Sequence, residues 1–284
     1  MNGRNFKHMR VAFQGEAGAF SEAAAVQLLG ERIRTVARAT FDAAFRAIAE
    51  DQADALLVPV ENTLAGSVVR VYDLLLESYL EMCGETILPI EHHLIARPGA
   101  RFEEIRAVAS HPMALAQCER FFLEHPDIKR VPAEDTAGSV REMMEHGDKA
   151  SAAIAGRRAA THYGAAILRE SIQDNAENFT RFVLLLPPEE ARSYRPADAR
   201  KVSLAMRLAH QPGALLASLE PFAKNKVNLL KIESRPIHGQ PWEYQFFVDV
   251  EAEAKDQLEQ ALREVRAATS DLRVLGSYQA ARRT

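Results

Sequence analysis

The sequence predicts an α/β protein built in two parts, and three observations carry that prediction. Short apolar runs alternate with segments of helical period as far as about residue 190, the order expected of strands laid side by side with helices on their faces. A polar, proline-bearing stretch, PPEEARSYRPADAR, then has the composition of a linker. From Lys201 onward the order becomes strand, helix, strand, strand, helix, strand, the ferredoxin-like βαββαβ arrangement. Residues 10–188 and 200–284 are therefore expected to form two domains.

Each element has a local reason. Strand Arg10 to Gln14 ends in the loop GEAGAFSEAA, where Gly15 and Gly18 permit a tight turn and Ser21 is placed to cap a helix running to about Gly30. Thr40 opens a helix whose Phe41, Ala44, Phe45 and Ile48 fall on one face. The run Ala55 to Val60 has the unbroken hydrophobicity of a central strand, and Val68, Val71, Tyr72 and Leu75 mark the next helix. Thr86 to Arg97 is expected as one long strand crossing between lobes, followed by strand Ala107 to Ala109 and a helix begun by Pro112 with a Leu115, Cys118, Phe122 stripe. Strand Lys129 to Ala133, a helix capped by Asp135 or Thr136, strand Ser151 to Ala155, a helix ending near Gly164 and strand Ile167 to Ile172 complete the first part. In the second part the strands are Val202 to Leu208, Val227 to Glu233, Trp242 to Val250 and Leu272 to Tyr278, with a turn at His238 and Gly239. Its helices follow Gly213 and span Lys255 to Ala268, the latter charged enough to be a solvated face.

Composition excludes several classes of function. The chain is 47% hydrophobic and 26% charged with a net charge of −4, so no basic excess points to nucleic acid or an anionic membrane. No apolar run reaches the roughly 20 residues of a membrane span, and MNGRNFKHMR lacks the apolar core of a signal peptide, so a cytoplasmic location is expected. Cys83 and Cys118 are far apart and form no metal or redox motif. His92 and His93, adjacent on a strand, would face opposite ways and make a poor metal pair. Neither a phosphate-binding loop nor a dinucleotide fingerprint occurs, so no cofactor is expected.

The polar residues gather where strands end, the edge at which open sheets bind ligands. The sharpest case is Ser171 to Leu186, SIQDNAENFTRFVLLL, where a polar loop runs into a buried strand with Thr180 and Arg181 at its mouth. An arginine there can fork onto a carboxylate and a threonine can donate and accept hydrogen bonds. Taken alone, the stretch reads first as an ordinary strand start beside a surface arginine. His111 is a candidate acid on the same logic, although a histidine at a helix start is more often a cap.

Several stretches, taken together and in order, resemble prephenate dehydratase. They are QGEAGAFSEAA (14–24), PVENTLAGSV (59–68), SHPMALAQC (110–118), DTAGSV (135–140), AAIAGRRAATHYG (152–164) and IQDNAENFTRF (172–182). The C-terminal part is similar to an ACT regulatory domain, with GALL (213–216) and ESRP (233–236) as its amino-acid-binding signatures. Met113, Gly156 and Ala165 depart from the usual Gln, Ser and Leu. The first strand opens at Arg10, leaving no room ahead of it for the helical chorismate mutase domain of bifunctional members, so a monofunctional form is expected.

The resemblance implies a catalytic portion of two α/β lobes like a periplasmic binding protein, with boundaries near residues 90 and 175 and the substrate in the cleft. It implies the conversion of prephenate to phenylpyruvate, water and CO2, feedback inhibition by L-phenylalanine, a homodimer or homotetramer, and no metal. On this reading Thr180 hydrogen-bonds the leaving hydroxyl, Arg181 anchors a carboxylate and Phe182 packs to hold both. Glu61 is a further candidate acid if burial raises its pKa. Gly18 amides with Ser21 would hold the second carboxylate, and Asn62, Ser110, Thr136 and Asn178 would line the pocket. Phenylalanine would be held by Gly213, Ala214, Leu215 and Leu216 with Asn228, Leu229 and the loop Glu233, Ser234, Arg235. Arogenate is a rival substrate, and a non-catalytic amino-acid sensor is the alternative of another class.

Overall fold

A computed structural model describes residues 8–237 and 240–281. From its start the chain alternates β1 (Arg10–Gln14), α1 (Phe20–Leu29), β2 (Arg34–Arg38), α2 (Phe41–Ala49) and β3 (Ala55–Asn62). β1 runs parallel to both neighbours, with Ala12 beside Val36 of β2 and Phe13 beside Leu57 of β3. Helices cover the sheet, which is why Val11 to Phe13 and Ala55 to Val58 are buried without alternation. Thr40 caps α2 by accepting from the Ala43 amide at 3.1 Å. In α1 the N-cap is Ala19 rather than Ser21, which lies buried in the first turn.

β4 (Gly66–Ser67) folds back on the end of β3, and α3 (Val69–Glu77) and β5 (Glu81–Pro89) follow. The crossing segment is two strands instead of one, β5 and β6 (His93–Ala96). Pro89 has no amide to donate, the Ile90 amide bonds the Asn178 carbonyl at 2.7 Å, and the His92 amide bonds the Gln173 side chain at 2.9 Å. These bonds leave no ladder across the gap. Next come β7 (Ala107–Ser110), α4 (Pro112–Ala116), α5 (Glu119–Glu124), β8 (Lys129–Pro132), α6 (Thr136–His146), β9 (Ser151–Ala155), α7 (Arg157–Tyr163) and β10 (Ala166–Arg169).

The second sheet has the order β10, β6, β9, β7, β8. The helix expected after Pro112 is two pieces, because the Asp174 carboxylate accepts from the amides of Glu119 and Arg120 at 2.8 and 3.0 Å and starts α5 afresh. Leu115, Cys118 and Phe122 still share one buried cluster with Leu94, Val108 and Ile154. A second cluster joins the two sheets as lobes, setting Phe13 and Ala19 against Ile95, Val140, Ala153 and Ala159.

β11 (Phe179–Leu186) returns the chain toward the first sheet. The expected linker opens as a helix, α8 (Pro188–Tyr194), because Pro188 is tolerated in the first turn and Glu189 and Glu190 suit its N-terminus. β12 (Lys201–Arg207), α9 (Ala214–Lys224), β13 (Asn228–Ile237), β14 (Gln240–Glu251), α10 (Lys255–Ala268) and β15 (Asp271–Tyr278) make the expected βαββαβ order. Their sheet runs β13, β14, β12, β15, all antiparallel, over a core that includes Val202, Leu204, Met206, Phe222, Leu258 and Val265. β13 is longer than expected, so Glu233, Ser234 and Arg235 lie in a strand opposite Phe247, Phe246 and Gln245 rather than in a loop. The turn assigned to His238 and Gly239 lies outside the described residues.

The contacts divide the chain into one unit of residues up to Tyr72 with Thr86–Phe182, and another of Asp73–Glu85 with everything from Val183 onward. The second unit thus takes in Asp73–Glu85, which the sequence groups with the first domain. Within it, Lys201 and Glu85 form a buried ion pair at 2.8 Å and Arg273 donates to the carbonyls of Leu76 and Ser78. Among the described residues no helix is long and apolar enough to cross a membrane.

Candidate active site

The end of β3 and the start of β11 carry a chain of side-chain amides. Asn62 points its Nδ2 at Asn178 Oδ1 (2.7 Å), Thr180 Oγ1 (2.9 Å) and the Phe179 carbonyl (3.1 Å). Its Oδ1 accepts from the amides of Leu64 and Ala65, fixing which end of the amide faces which way. Buried Asn178 in turn donates to Gln117 Oε1 at 3.1 Å, and Gln117 Oε1 lies 2.8 Å from His92 Nε2. Thr180 is buried, and because its oxygen accepts from Asn62, its own proton is not spent on that bond. Burial pushes the His92 pKa down, the Gln117 bond raises it less, and the ring stays neutral at the end of the chain.

Thr180 and Arg181 do not share a face. Successive residues of β11 point to opposite sides, so Thr180 meets Asn62 while the Arg181 guanidinium lies 3.8 Å from Glu61. Arg181 is nearly covered, its side chain 12% exposed. The Glu61 side chain is 40% exposed rather than buried, and it sits against the Arg181 cation. Phe182 is buried on the Thr180 side of the strand, as a packing role requires.

The glycine loop differs from expectation. The Gly18 amide donates to Glu22 Oε2 at 2.6 Å, so an internal carboxylate occupies the place assigned to a substrate carboxylate. Glu22 also accepts from Thr35 Oγ1 at 2.9 Å and pairs with Arg158 at 3.3 Å. Burial raises the Glu22 pKa, but the Gly18, Arg158 and Thr35 bonds outweigh it and hold the carboxyl below the usual range. Gly18 has a left-handed φ of 87°, and a Cβ there would stand 2.6 Å from Ala159 Cα, so the two lobes touch through backbone at this point.

The remaining lining residues divide. Ser110 is fully buried and donates to the Ile154 carbonyl at 2.6 Å, which turns its proton into the sheet. Thr136 is the first residue of α6 and half-buried, while Asp135 makes the cap to Gly138. His111 is the α4 cap, its Nδ1 accepting from Met113 at 3.2 Å. Met113 is exposed, and a Cβ at Gly156 would lie 2.8 Å from the Phe20 ring, so a larger residue there requires that ring to shift. The two cavities of about 580 Å³ in this unit are lined by neither Thr180 nor Asn62.

In the second unit Ala214 and Leu215 line a cavity of about 150 Å³ with Tyr244 and Phe246, and Gly213 is the N-cap of α9. Leu216, Asn228 and Leu229 are exposed. Glu233 pairs with Lys231 at 3.3 Å, Arg235 with Asp73 at 3.8 Å, and Ser234 is exposed on β13.

Gln117, His92 and Glu22 are the polar residues that sequence reasoning left out. Gln117 and Glu22 lie inside matched motifs, and a buried-strand context for His92 was the available signal.

The family model described as prephenate dehydratase matches residues 11–190. Arogenate dehydratase 3, chloroplastic, from Arabidopsis thaliana is 42% identical over 98% of this chain and 68% of its own length. The structure titled prephenate dehydratase in complex with L-Phe from Arthrobacter aurescens superposes with a TM-score of 0.83 at 32% identity, covering 95% of this chain and 90% of that one. The structure titled GqqA, a novel type of quorum quenching acylases, superposes at 0.85 with 32% identity over 95% and 98%.

Proposed function

The chain belongs to the prephenate dehydratase family, and from that premise we propose that it converts prephenate to phenylpyruvate with Thr180 as donor to the departing hydroxyl. In this reaction the electron pair of the ring carboxylate bond moves into the ring and CO2 leaves. The ring C–O bond breaks, and the oxygen takes up one proton to depart as water. Stabilising the leaving oxygen is the protein's task, and donors are most effective when already aimed. The observation that supports this role is the Asn62 bond, which holds the Thr180 oxygen as an acceptor and leaves its proton for the substrate. Threonine is too weak an acid to lose that proton outright, so it acts as a hydrogen-bond donor or relay. Arg181, on the other face, anchors a carboxylate in exchange for Glu61. Because Thr180 is buried and outside both large cavities, the substrate enters as the lobes part.

The test is turnover of prephenate and of arogenate by the parent and by Thr180→Ala. A loss of about 10²–10³ in kcat is expected for the variant. Equal turnover by a folded Thr180→Ala sinks the assignment, and the parent's preference between the two compounds decides the substrate.

Residues 200–284 act, on the same proposal, as an ACT domain that binds L-phenylalanine. A relative's title names that ligand, and the cavity beside Ala214 and Leu215 has the apolar, aromatic lining that a phenyl ring needs. Exposed Leu216, Leu229, Leu230 and Ile232 favour pairing of two copies, as a homodimer or homotetramer. An inhibition curve unchanged by deleting residues 200–284 would exclude the regulatory role.

The relative titled an acylase raises a second reading, which the residues here favour less. Acyl transfer asks for an activated nucleophile. Thr180 is bonded to an amide that cannot accept its proton, and burial pushes the Cys118 thiol up to about 12.

A further inference from the structure

A cavity of about 580 Å³ lies between α1 and α7, floored by the segment that joins β5 to β6, and its size falls within the roughly 300–1,000 Å³ of small-molecule sites. One wall is apolar, made by Phe20, Ala23, Val26, Leu88 and Pro89. The lining also carries donors, among them His93, Arg157 and Arg158. We propose that this cavity binds a small aromatic monocarboxylate, ring against the apolar wall and carboxylate on His93 and the arginines, at a site separate from Thr180.

The observation that points to a ligand is His93. It is 1% exposed, and its Nδ1 accepts from the Ser171 amide at 3.0 Å, which puts the ring proton on Nε2. Glu91 Oε2 lies 4.0 Å from that nitrogen, beyond hydrogen-bond reach. A donor on a side chain that is 1% exposed thus stands on the lining of a cavity with no hydrogen-bond partner among the described residues, a position from which a ligand can supply the acceptor. Burial first, and Arg157 second, push the His93 pKa down, so it offers one fixed N–H. Arg157 pairs with Glu170 at 2.8 Å and Arg158 with Glu22 at 3.3 Å, but each guanidinium has five N–H groups and retains some for a ligand. Glu91 is the acid on the lining, and its side chain is 54% exposed, where solvent screens it. An α-amino group would instead be drawn to Glu91, so charge at this residue separates a carboxylate ligand from a zwitterionic one.

Gly18, expected to help hold substrate, borders the cavity, but its amide is spent on Glu22, and none of Thr180, Arg181, Phe182, Glu61 and Asn62 lines it, so the test does not depend on their roles. The full chain is titrated with 3-phenylpropionate by calorimetry. Saturable binding is expected, weakened at least about tenfold by Ala23→Phe, which fills the cavity, and by His93→Phe, which keeps a ring but removes the donor. Glu91→Gln should tighten binding by removing a like charge. Thr180→Ala and saturating L-phenylalanine should leave it unchanged. Absence of saturable binding overturns the proposal, as does insensitivity to Ala23→Phe, weaker binding by Glu91→Gln, or displacement by L-phenylalanine. Ala23→Phe and Glu91→Gln sit at partly exposed positions and keep the test decisive should His93→Phe not fold.

Discussion

Asn62 Nδ2 lies 2.9 Å from Thr180 Oγ1, and the Asn62 oxygen is fixed on the amides of Leu64 and Ala65. The direction of this bond is therefore set by the chain itself: Asn62 donates and Thr180 accepts. Replacing Asn62 with Asp keeps the acceptor for the two amides but turns the inner oxygen into a second acceptor, which draws the Thr180 proton inward. Asn62→Asp is expected to lower kcat by about 10²-fold or more, as loss of a transition-state donor does. Steady-state turnover of prephenate checks it, with thermal unfolding to confirm the fold. Activity near the parent's would mean that the Thr180 proton is not aimed at substrate.

Arg181 and Glu61 form the complementary pair on the opposite face of the same two strands. If Glu61 were the general acid, Glu61→Gln would cost about 10²–10⁴ in rate. The exposure of Glu61 and its contact with Arg181 predict a smaller effect, within about tenfold, because only a partly exposed ion pair is lost. Thr180→Ser, which keeps the hydroxyl, should retain part of the activity, whereas Arg181→Gln should raise KM. A Glu61→Gln variant that loses activity as deeply as Thr180→Ala would restore Glu61 as the acid.

How far these arrangements could be foreseen depends on the range of the interaction. The strand Ala55 to Val60 and the Thr40 cap were legible because each rests on neighbours in sequence. The opposed faces of Thr180 and Arg181 were legible as well, since period two follows from the apolar run, yet the polar loop before it drew them together as one cluster. Gln117 was hidden for another reason. It leaves the helix only because Asp174 starts α5 behind it, and it is aimed only because Asn178 and His92 are brought alongside. Glu22 has the spacing of a helix-surface glutamate, and nothing local says that it folds back onto the Gly18 amide.

Glu22 makes a prediction about acid stability. Its carboxyl is held below the ordinary value of 4.5, so the folded state binds this proton less readily than the unfolded state. The stabilisation is present above that value and is lost as pH falls through the lower folded pKa. Glu22→Gln should lower stability at neutral pH by about 1–3 kcal/mol, since a buried charge-assisted cluster loses its anion. It should also flatten the decline in Tm between neutral and acidic pH. Parallel Tm curves for the parent and Glu22→Gln down to the acid limb would show that another carboxylate governs it.

Gly276 and Met82 meet where β15 runs parallel to β5, in the unit that holds the proposed regulatory domain. A Cβ on residue 276 would lie 2.0 Å from the Met82 carbonyl oxygen and 2.6 Å from the Met82 side chain. A flexible side chain can move aside, but a strand carbonyl cannot without parting the two strands. The neighbouring polar core has little slack, since Ser203 bonds both Asp249 and Tyr278 at 2.5 Å and Glu85 holds Lys201 and the Ala281 amide. Gly276→Ala should therefore destabilise the protein by about 2 kcal/mol, in the range of an overpacked core. The loss should appear as a lower urea midpoint of the transition for this unit, with kcat on prephenate held at low temperature. An unchanged midpoint would mean that the two strands can separate at residue 276 without cost.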